Sequence, residues 1–201
     1  MLPMARLAVA VLLLSSCSGP EPNTKSKDPY DRYLGVREIG QTRDLASEAE
    51  LLRLLDDPHY LVLTGVLESM AEIGRKDYLP YVVPKLAPKE KDPADPAHER
   101  EIHPMVRAQA CETVATIAGE EGLASVIGVL EHDPDPGVRR AAIKALAAHY
   151  GKLPRAKEAL VQTVGDPDPS IALAAHNALT QITGRQNVAR SKEAWTRALQ
   201  P

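Results

Sequence analysis

The most constraining feature of this sequence is a segment, residues 133–151, that carries markers for both ends of a helix. Asp135 is a residue type that accepts hydrogen bonds from first-turn N–H groups, and Pro136 suits the first helical position. Gly151 is suited to the left-handed conformation that closes many helices. Five side chains between these ends share one helix face, namely Val138, Ala142, Ala145, Leu146 and His149. The segment therefore predicts an amphipathic helix.

The same pattern returns along the chain at a nearly constant period. A copy that begins at Asp168 ends at Gly184, which lies 33 residues after Gly151 (184 − 151). Another copy begins at His103 and ends at Gly119, 32 residues before Gly151 (151 − 119). A looser copy runs from Asp57 to Gly74. A fixed period in this range, with one helix per copy and room for a second, predicts an α-solenoid.

The segments between the copies predict the second helix of each repeat. After Gly119, an apolar stripe has helical i, i+3, i+4, i+7 spacing. The stripe after Gly74 has the same spacing, although Pro84 is expected to kink or shorten that helix. These stripes are Leu123, Val126, Ile127 and Leu130, and Leu79, Val82, Val83 and Leu86. Aromatic residues are only 3% of the chain, with no Phe, which suits helices packed through small aliphatic side chains.

The residues Asp135-Pro136-Gly-Val-Arg-Arg-Ala-Ala-Ile-Lys-Ala-Leu146 resemble short HEAT-like repeats, of the kind also found in phycobilisome lyases. The signatures of tetratricopeptide and ankyrin repeats are absent. The resemblance covers residues 44–186. It implies an all-α fold: a short right-handed α-solenoid of about four helix pairs with capping helices at both ends.

Arg107 and Arg139 occupy the same position in successive repeats. In HEAT-like proteins such an arginine often bonds to turn carboxylates of a neighbouring repeat. The resemblance therefore implies a polar ladder with Asp133 and Asp166 as partners, which should stop where the last copy has Ala172. The alternative is a partner-binding role for the basic residues of these helices, namely Arg107, Arg139, Arg140 and Lys144.

The first residues have the features of a secretory signal peptide. A short basic region up to Arg6 precedes an apolar run, residues 7–14, that is too short to span a bilayer. Leu14-Ser15-Ser16-Cys17 resembles the lipobox of bacterial lipoproteins, which implies cleavage after residue 16 and lipidation of Cys17. More than one acyl chain gives stable membrane attachment. Ser18, in place of Asp, favours the outer membrane, with the protein facing the periplasm.

Four segments follow from these patterns. Residues 1–16 are the cleaved signal peptide, and residues 17–43 are a lipid-anchored flexible tether, because they combine low hydrophobicity with proline and charge. Residues 44–186 form the solenoid, beginning with a half-repeat whose helix has the Ser47/Glu50 capping-box spacing. Residues 87–103 are a charged, proline-rich insertion expected to be a solvated loop. Residues 187–201 form a C-terminal capping helix in which Ser191 is the N-cap and Trp195 packs against the open end.

No motif in the sequence supplies a reaction, since it has no glycine-rich phosphate loop, nucleophile elbow or paired-cysteine site. Cleavage would leave 23 basic and 27 acidic residues, a net charge of −4, so nucleic acid is not an expected partner. We therefore expect a monomeric, non-catalytic scaffold or adaptor for another envelope protein, without cofactor or metal.

Other readings of individual residues remain open. One alternative is a small-ligand or metal-binding lipoprotein that uses His98 and His103, and a less favoured one is a lyase-type enzyme subunit. Cys111 is expected to be a buried, inert thiol. Two further possibilities are an internal pair of His149 with His176, and a weak cation site at the turn carboxylates, namely Asp133, Asp135, Asp166 and Asp168.

Overall fold

The computed structural model describes residues 23–92, 94–95, 97 and 99–200. This part of the chain contains ten α-helices and one small hairpin. The helices are α1 (Pro29–Thr42), α2 (Glu48–Leu54), α3 (Tyr60–Ile73), α4 (Leu79–Val82), α5 (Pro104–Ile117), α6 (Leu123–His132), α7 (Pro136–Tyr150), α8 (Pro154–Thr163), α9 (Pro169–Thr183) and α10 (Lys192–Ala198). The signal peptide and Cys17 lie outside the described residues.

The helices form two layers, as the repeat pattern predicts. In the first-helix layer, α1, α3, α5, α7 and α9 each contact the next. In the second-helix layer, made of α2, α4, α6, α8 and α10, α6 contacts α8, and α8 contacts α10. The predicted all-α solenoid is therefore confirmed. No helix of the described segments is both long enough and apolar enough to cross a bilayer.

Most of the predicted helix ends are confirmed. The Asp135 carboxylate accepts hydrogen bonds from the Gly137 and Val138 N–H groups at 2.7 and 3.0 Å. Three other helices begin with a side chain that accepts a first-turn N–H in the same way. These N-caps are Asp168 of α9, His103 of α5 and Ser191 of α10. Gly74 and Gly184 adopt the left-handed conformation after α3 and α9, with φ of 78° and 71°.

Gly151 is an exception, because its φ is −58° and it is not left-handed. A Cβ atom at this position would lie 2.8 Å from Ile182 Cγ2 and 2.8 Å from the Ala147 carbonyl oxygen. Glycine is therefore needed here because α7 and α9 approach closely, and the predicted left-handed cap at this residue is wrong.

The prediction that residues 17–43 are a flexible tether is wrong for its second half. Residues 29–42 form α1, which packs along α3 and buries Val36 and Ile39. α1 is the first helix of a pair with α2, so the solenoid begins with a full repeat. The predicted capping box is also absent, because the Ser47 hydroxyl donates to Asp44 Oδ2 instead of capping α2.

The described residues of the insertion at 87–103 are mostly exposed, as predicted, but they include two paired antiparallel strands, which we call the hairpin. β1 (Lys89–Lys91) pairs with β2 (Glu99–Glu101), with Glu90 opposite Arg100. The Glu90 carboxylate lies 2.6 Å from Arg100 Nη2 and 2.5 Å from Lys85 Nζ. Lys85 is buried, and the lost hydration of its ammonium group must be offset by this carboxylate. The ion pairs thus fix the hairpin to the end of the preceding repeat.

Pro84 shortens the second helix of its repeat, as predicted. α4 ends at Val82 and continues as a 3-10 helix, Val83–Leu86. The tighter winding of this segment breaks the i, i+4 spacing of the predicted stripe. Val82 is buried, whereas Val83 is 40% exposed. The chain therefore presents an aliphatic side chain to solvent at this point.

Replacing Gly40 with Ala should test whether α1 is an integral part of the solenoid. A Cβ at Gly40 would lie 2.7 Å from Ser69 Cα on α3, so the two helices would have to separate. We expect a loss of about 1–3 kcal/mol in the free energy of unfolding, measured by urea denaturation. Gly128→Ala is the matched control, because a Cβ there meets nothing within 4 Å. It should raise stability by about 0.5–1 kcal/mol, and equal effects of the two substitutions would contradict the packing of α1.

Candidate protein-interaction surface

Arg107 is buried between two repeats and is fully engaged by hydrogen bonds. Its Nε and Nη2 atoms donate to the two carboxylate oxygens of Asp133 at 2.7 and 2.9 Å. Its Nη1 atom donates to the Ile102 carbonyl oxygen. Asp133 Oδ1 also accepts the Asp135 N–H at 2.9 Å, next to the start of α7. A bidentate pair of this kind links α5 to the turn that precedes α7.

Arg139 repeats this arrangement more loosely. Its Nη1 atom donates to the Asp133 carbonyl oxygen at 3.1 Å, and its Nη2 atom lies 4.0 Å from Asp166 Oδ1. Its Nε atom is buried without a hydrogen-bond partner. The predicted partners of both arginines, Asp133 and Asp166, are confirmed. In the next repeat copy, Ala172 stands at the position of these arginines.

A further rung of the ladder, between Arg32 and Asp57, was not predicted. Arg32 Nε and Nη2 donate to Asp57 at 2.7 and 2.9 Å, and its Nη1 atom donates to the Ser26 and Lys27 carbonyl oxygens. The Asp57 carboxylate raises the pKa of the Arg32 guanidinium. Sequence spacing could have identified this rung, because Arg32 follows Asp28 by four residues just as Arg139 follows Asp135.

The ladder leaves only some of the predicted partner-binding residues accessible. Arg107 is 4% exposed, so its guanidinium is not open to a partner. Arg139 is partly buried, with its guanidinium directed at the turns before α7 and α9. Arg140 and Lys144 are exposed on α7, and Arg140 Nη1 lies 3.4 Å from the Ser170 hydroxyl. The structure favours the structural role for the two ladder arginines.

A shallow groove on the second-helix layer was not anticipated from the sequence. It lies between the 3-10 helix Val83–Leu86 and α6, and we call it the second-helix groove. Its lining residues include Val83, Leu86, Ser125, Gly128, Val129 and His132. On the α6 side, Ser125 and Gly128 have small side chains that do not fill the groove. On the opposite side, Val83 is 40% exposed. Tyr81, on the same segment as Val83, is 46% exposed.

A second groove lies between α8 and α10 at the C-terminal end of the solenoid. Pro154, Val161 and Leu199 contribute its apolar lining, and Lys157 and Glu158 lie beside them. α10 is held in place by Trp195, which is fully buried, as predicted. The indole N–H of Trp195 donates to His176 Nδ1 at 3.0 Å. The C-terminal helix therefore covers the last repeat and also forms one wall of this groove.

The histidines have separate partners. His149 Nε2 lies 3.0 Å from Glu112 Oε1 at the surface, while His176 contacts Trp195, so the two histidines do not form the internal pair considered as a possibility. His103 caps α5 and stacks on Tyr60 with ring centroids 4.2 Å apart.

The alternative metal and cation sites gain no support within the described segments. No group of three His, Cys, Asp or Glu side chains in this part of the chain is placed to hold a metal ion. The turn aspartates are occupied by main-chain N–H groups or arginines. His98 lies outside the described residues, so its proposed metal site with His103 stays a prediction.

Cys111 is buried in the core, and burial raises the pKa of its thiol to about 12. A raised pKa keeps the thiol protonated at pH 8, and thiolate is the reactive form. In a Cys17→Ser chain, Cys111 is the sole remaining cysteine. We expect a thiol reagent to modify it only after unfolding, so the labelling rate should rise sharply with urea. Labelling of the native chain as fast as that of a free thiol would contradict its burial.

Sequence comparison identifies the repeats of the second half of the chain. A family model described as HEAT repeats matches residues 98–180 and, in an overlapping match, residues 129–194. These matches run from the hairpin into α10, and they include the arginine ladder at Arg107 and Arg139. Residues 98–194 therefore consist of HEAT-like repeats. A search of curated proteins found no match to the chain.

Proposed function

We propose that this HEAT-like repeat protein is a non-catalytic adaptor, which holds another protein of the cell envelope on its second-helix layer. The observation that carries the proposal is the second-helix groove, where Val83 is 40% exposed, together with Tyr81 at the end of α4, which is 46% exposed. Solenoids present extended surfaces of this kind, because each repeat contributes one helix to a continuous face.

The lining of the groove has the character of a protein-binding site. A partner side chain could pack between Val83 and Leu86 on one wall and the low wall at Ser125 and Gly128 on the other. Aromatic side chains such as Tyr81 are enriched at protein interfaces, because they bury a large area and retain a polar hydroxyl. His132, at the end of the groove, adds an exposed polar side chain to its rim.

The proposal includes a lipid anchor at Cys17. Its support is the basic, apolar and Leu-Ser-Ser-Cys order of the first 17 residues. Residues 23–28 contact the first repeat, because the Asn23 N–H donates to the Asp31 carbonyl oxygen and Arg32 donates to Ser26 and Lys27, so residues 18–22 would link the acylated residue to the solenoid. An extended chain of this length spans at most about 18 Å. The solenoid would therefore act close to the membrane surface, and outer-membrane placement facing the periplasm is the arrangement that Ser18 favours.

Intact-mass measurement of the membrane-extracted protein tests the anchor. Cleavage before Cys17 with added acyl mass is expected, and replacement by Cys17→Ser should abolish both. An uncleaved or unmodified N-terminus in the native protein would contradict lipid anchoring, while leaving the adaptor proposal to its own test.

Affinity capture with matched surface variants tests the adaptor proposal. Val83→Glu places a charge in the second-helix groove, and its expected result is loss of the stoichiometric protein partner. Met105→Glu is the control, because Met105 is 53% exposed but belongs to the first-helix layer. Both residues are exposed, so both variants should fold with unchanged melting temperatures. Equal capture by Val83→Glu and the unmodified protein would overturn the assignment of this face.

A further inference from the structure

Charge is strongly separated along the solenoid. Residues 23–136 contain 13 Lys and Arg and 22 Asp and Glu, a net charge of −9. Residues 137–201 contain 10 Lys and Arg and 4 Asp and Glu, a net charge of +6. The C-terminal end is thus basic, although the whole chain has a net charge of −3.

The cations of the two parts also differ in how they are paired. In the acidic part, many form ion pairs within the chain: Arg32, Arg37, Arg53, Arg75, Lys76, Lys85, Arg100 and Arg107. In residues 137–200, all of which the structure describes, Arg139 is the one Lys or Arg in an ion pair, at 4.0 Å from Asp166. Ion pairs with acids of this part of the chain therefore offset little of the positive charge of the C-terminal end, although Lys192 and Arg197 lie near Glu193.

Several of these cations lie on helix ends that meet at one corner of the solenoid, which we call the basic corner. Arg185 donates to the Ala198 carbonyl oxygen and so joins the end of α9 to the end of α10. Gly151, next to Lys152, lies against Ile182 near the same end of α9. Pro154 lines one groove with Leu199, which brings the start of α8 to the same place. The basic corner consists of Lys152, Arg155, Lys157, Arg185 and Arg197.

The basic corner adjoins the groove between α8 and α10. The groove offers the apolar surfaces of Pro154 and Leu199, and Glu158 is its one lining acid. An apolar groove with cations at its edge matches a segment that alternates apolar anchors with carboxylates. A bilayer would contact the charges and leave the groove between the helices unfilled, so a protein segment fits these observations better.

We propose that the basic corner and the α8–α10 groove bind an acidic amphipathic segment of the partner protein. This inference rests on the adaptor function proposed above and adds the chemistry of the partner. Apolar side chains of the segment pack on Pro154 and Leu199. Its carboxylates face the guanidinium and ammonium groups of the corner, which favours acidic over basic partners and speeds association at low salt.

The test uses fluorescence anisotropy of labelled peptides added to the purified protein. One peptide has leucines at i, i+3, i+4 and i+7 separated by glutamates, and a second has lysines in place of the glutamates. We expect the acidic peptide to bind at least about tenfold more tightly than the basic one, with affinity falling as salt is added. The double variant Arg155→Glu/Arg197→Glu should weaken binding of the acidic peptide by a similar factor.

The matched control is Lys25→Glu/Lys27→Glu, which makes the same charge change at two exposed lysines near α1. It should leave peptide binding unchanged, and melting temperatures verify that both double variants fold. Equal binding of the two peptides, or no effect of the corner variant, would overturn the proposal. So would binding only to phosphatidylglycerol vesicles, which would assign the corner to the membrane. If neither peptide binds while Val83→Glu still abolishes partner capture, the adaptor function stands and the basic corner is not its binding site.

Discussion

Replacing Arg107 with Ala should lower the free energy of unfolding by about 3–5 kcal/mol, because it leaves a buried carboxylate without its cation. Asp133 is 5% exposed, and both of its oxygens accept from the Arg107 guanidinium. Removal of the arginine also leaves the Ile102 carbonyl oxygen without this donor. Urea denaturation of the purified variant measures the effect directly.

Arg139→Ala is the internal control for this prediction. Its contact with Asp166 is 4.0 Å, and one of its buried nitrogen atoms has no partner, so its loss should cost less than that of Arg107. The double variant Arg107→Met/Asp133→Leu removes both charges and should recover much of the stability that Arg107→Ala loses. An Arg107→Ala variant as stable as the parent would contradict the role of the ladder in joining the repeats.

Trp195→Ala should be the second most destabilising substitution, costing about 3–5 kcal/mol. Trp195 is the largest fully buried side chain of the described residues, and α10 covers the end of the last repeat through it. Its loss would expose apolar surface of α9 and α8, because α10 has only two helical turns and does not persist without packing. Thermal unfolding followed by circular dichroism, together with binding of a hydrophobic dye, measures this exposure.

Two milder variants separate the contributions of the indole ring. Trp195→Phe keeps an aromatic ring but loses the N–H that donates to His176. His176→Ala removes the acceptor and leaves a buried N–H, which costs about 1–3 kcal/mol. Because Trp195 is the sole tryptophan, its fluorescence in His176→Ala reports directly on whether α10 remains docked. Unchanged stability of Trp195→Ala would show that α10 does not cap the solenoid.

The repeat pattern predicted much of the fold, because its signals are local and recur. Asp135 with Pro136 marks a helix start that any HEAT-like copy needs, and the stripe from Leu123 to Leu130 is buried as its spacing indicates. The pairs Arg107–Asp133 and Arg139–Asp166 followed from the resemblance. Each joins neighbouring repeats, so a periodic sequence places both members at fixed positions.

The features that were not predicted depend on long-range packing. α1 was interpreted as tether because its composition is polar, yet Gly40 lets it approach α3 at Ser69 and Arg32 pairs with Asp57. The hairpin depends on the Glu90 carboxylate, which contacts both Lys85 and Arg100. These two cations are 15 residues apart (100 − 85) and lie outside the helical period, so the repeat pattern does not encode their meeting. The second-helix groove depends on the exposure of Val83, which precedes Pro84 in the 3-10 helix. A regular helical wheel would place the Val83 side chain in the core.

Site-specific photocrosslinking in living cells tests the central claim, that the second-helix layer binds a protein partner, most directly. A photoreactive amino acid replaces Tyr81, which is 46% exposed on that layer, or Tyr30, which is 49% exposed on α1. The account predicts one dominant crosslinked protein from position 81, lost when Val83→Glu is added, and none from position 30. Equal crosslinking from both positions, or a partner captured only from position 30, would contradict it.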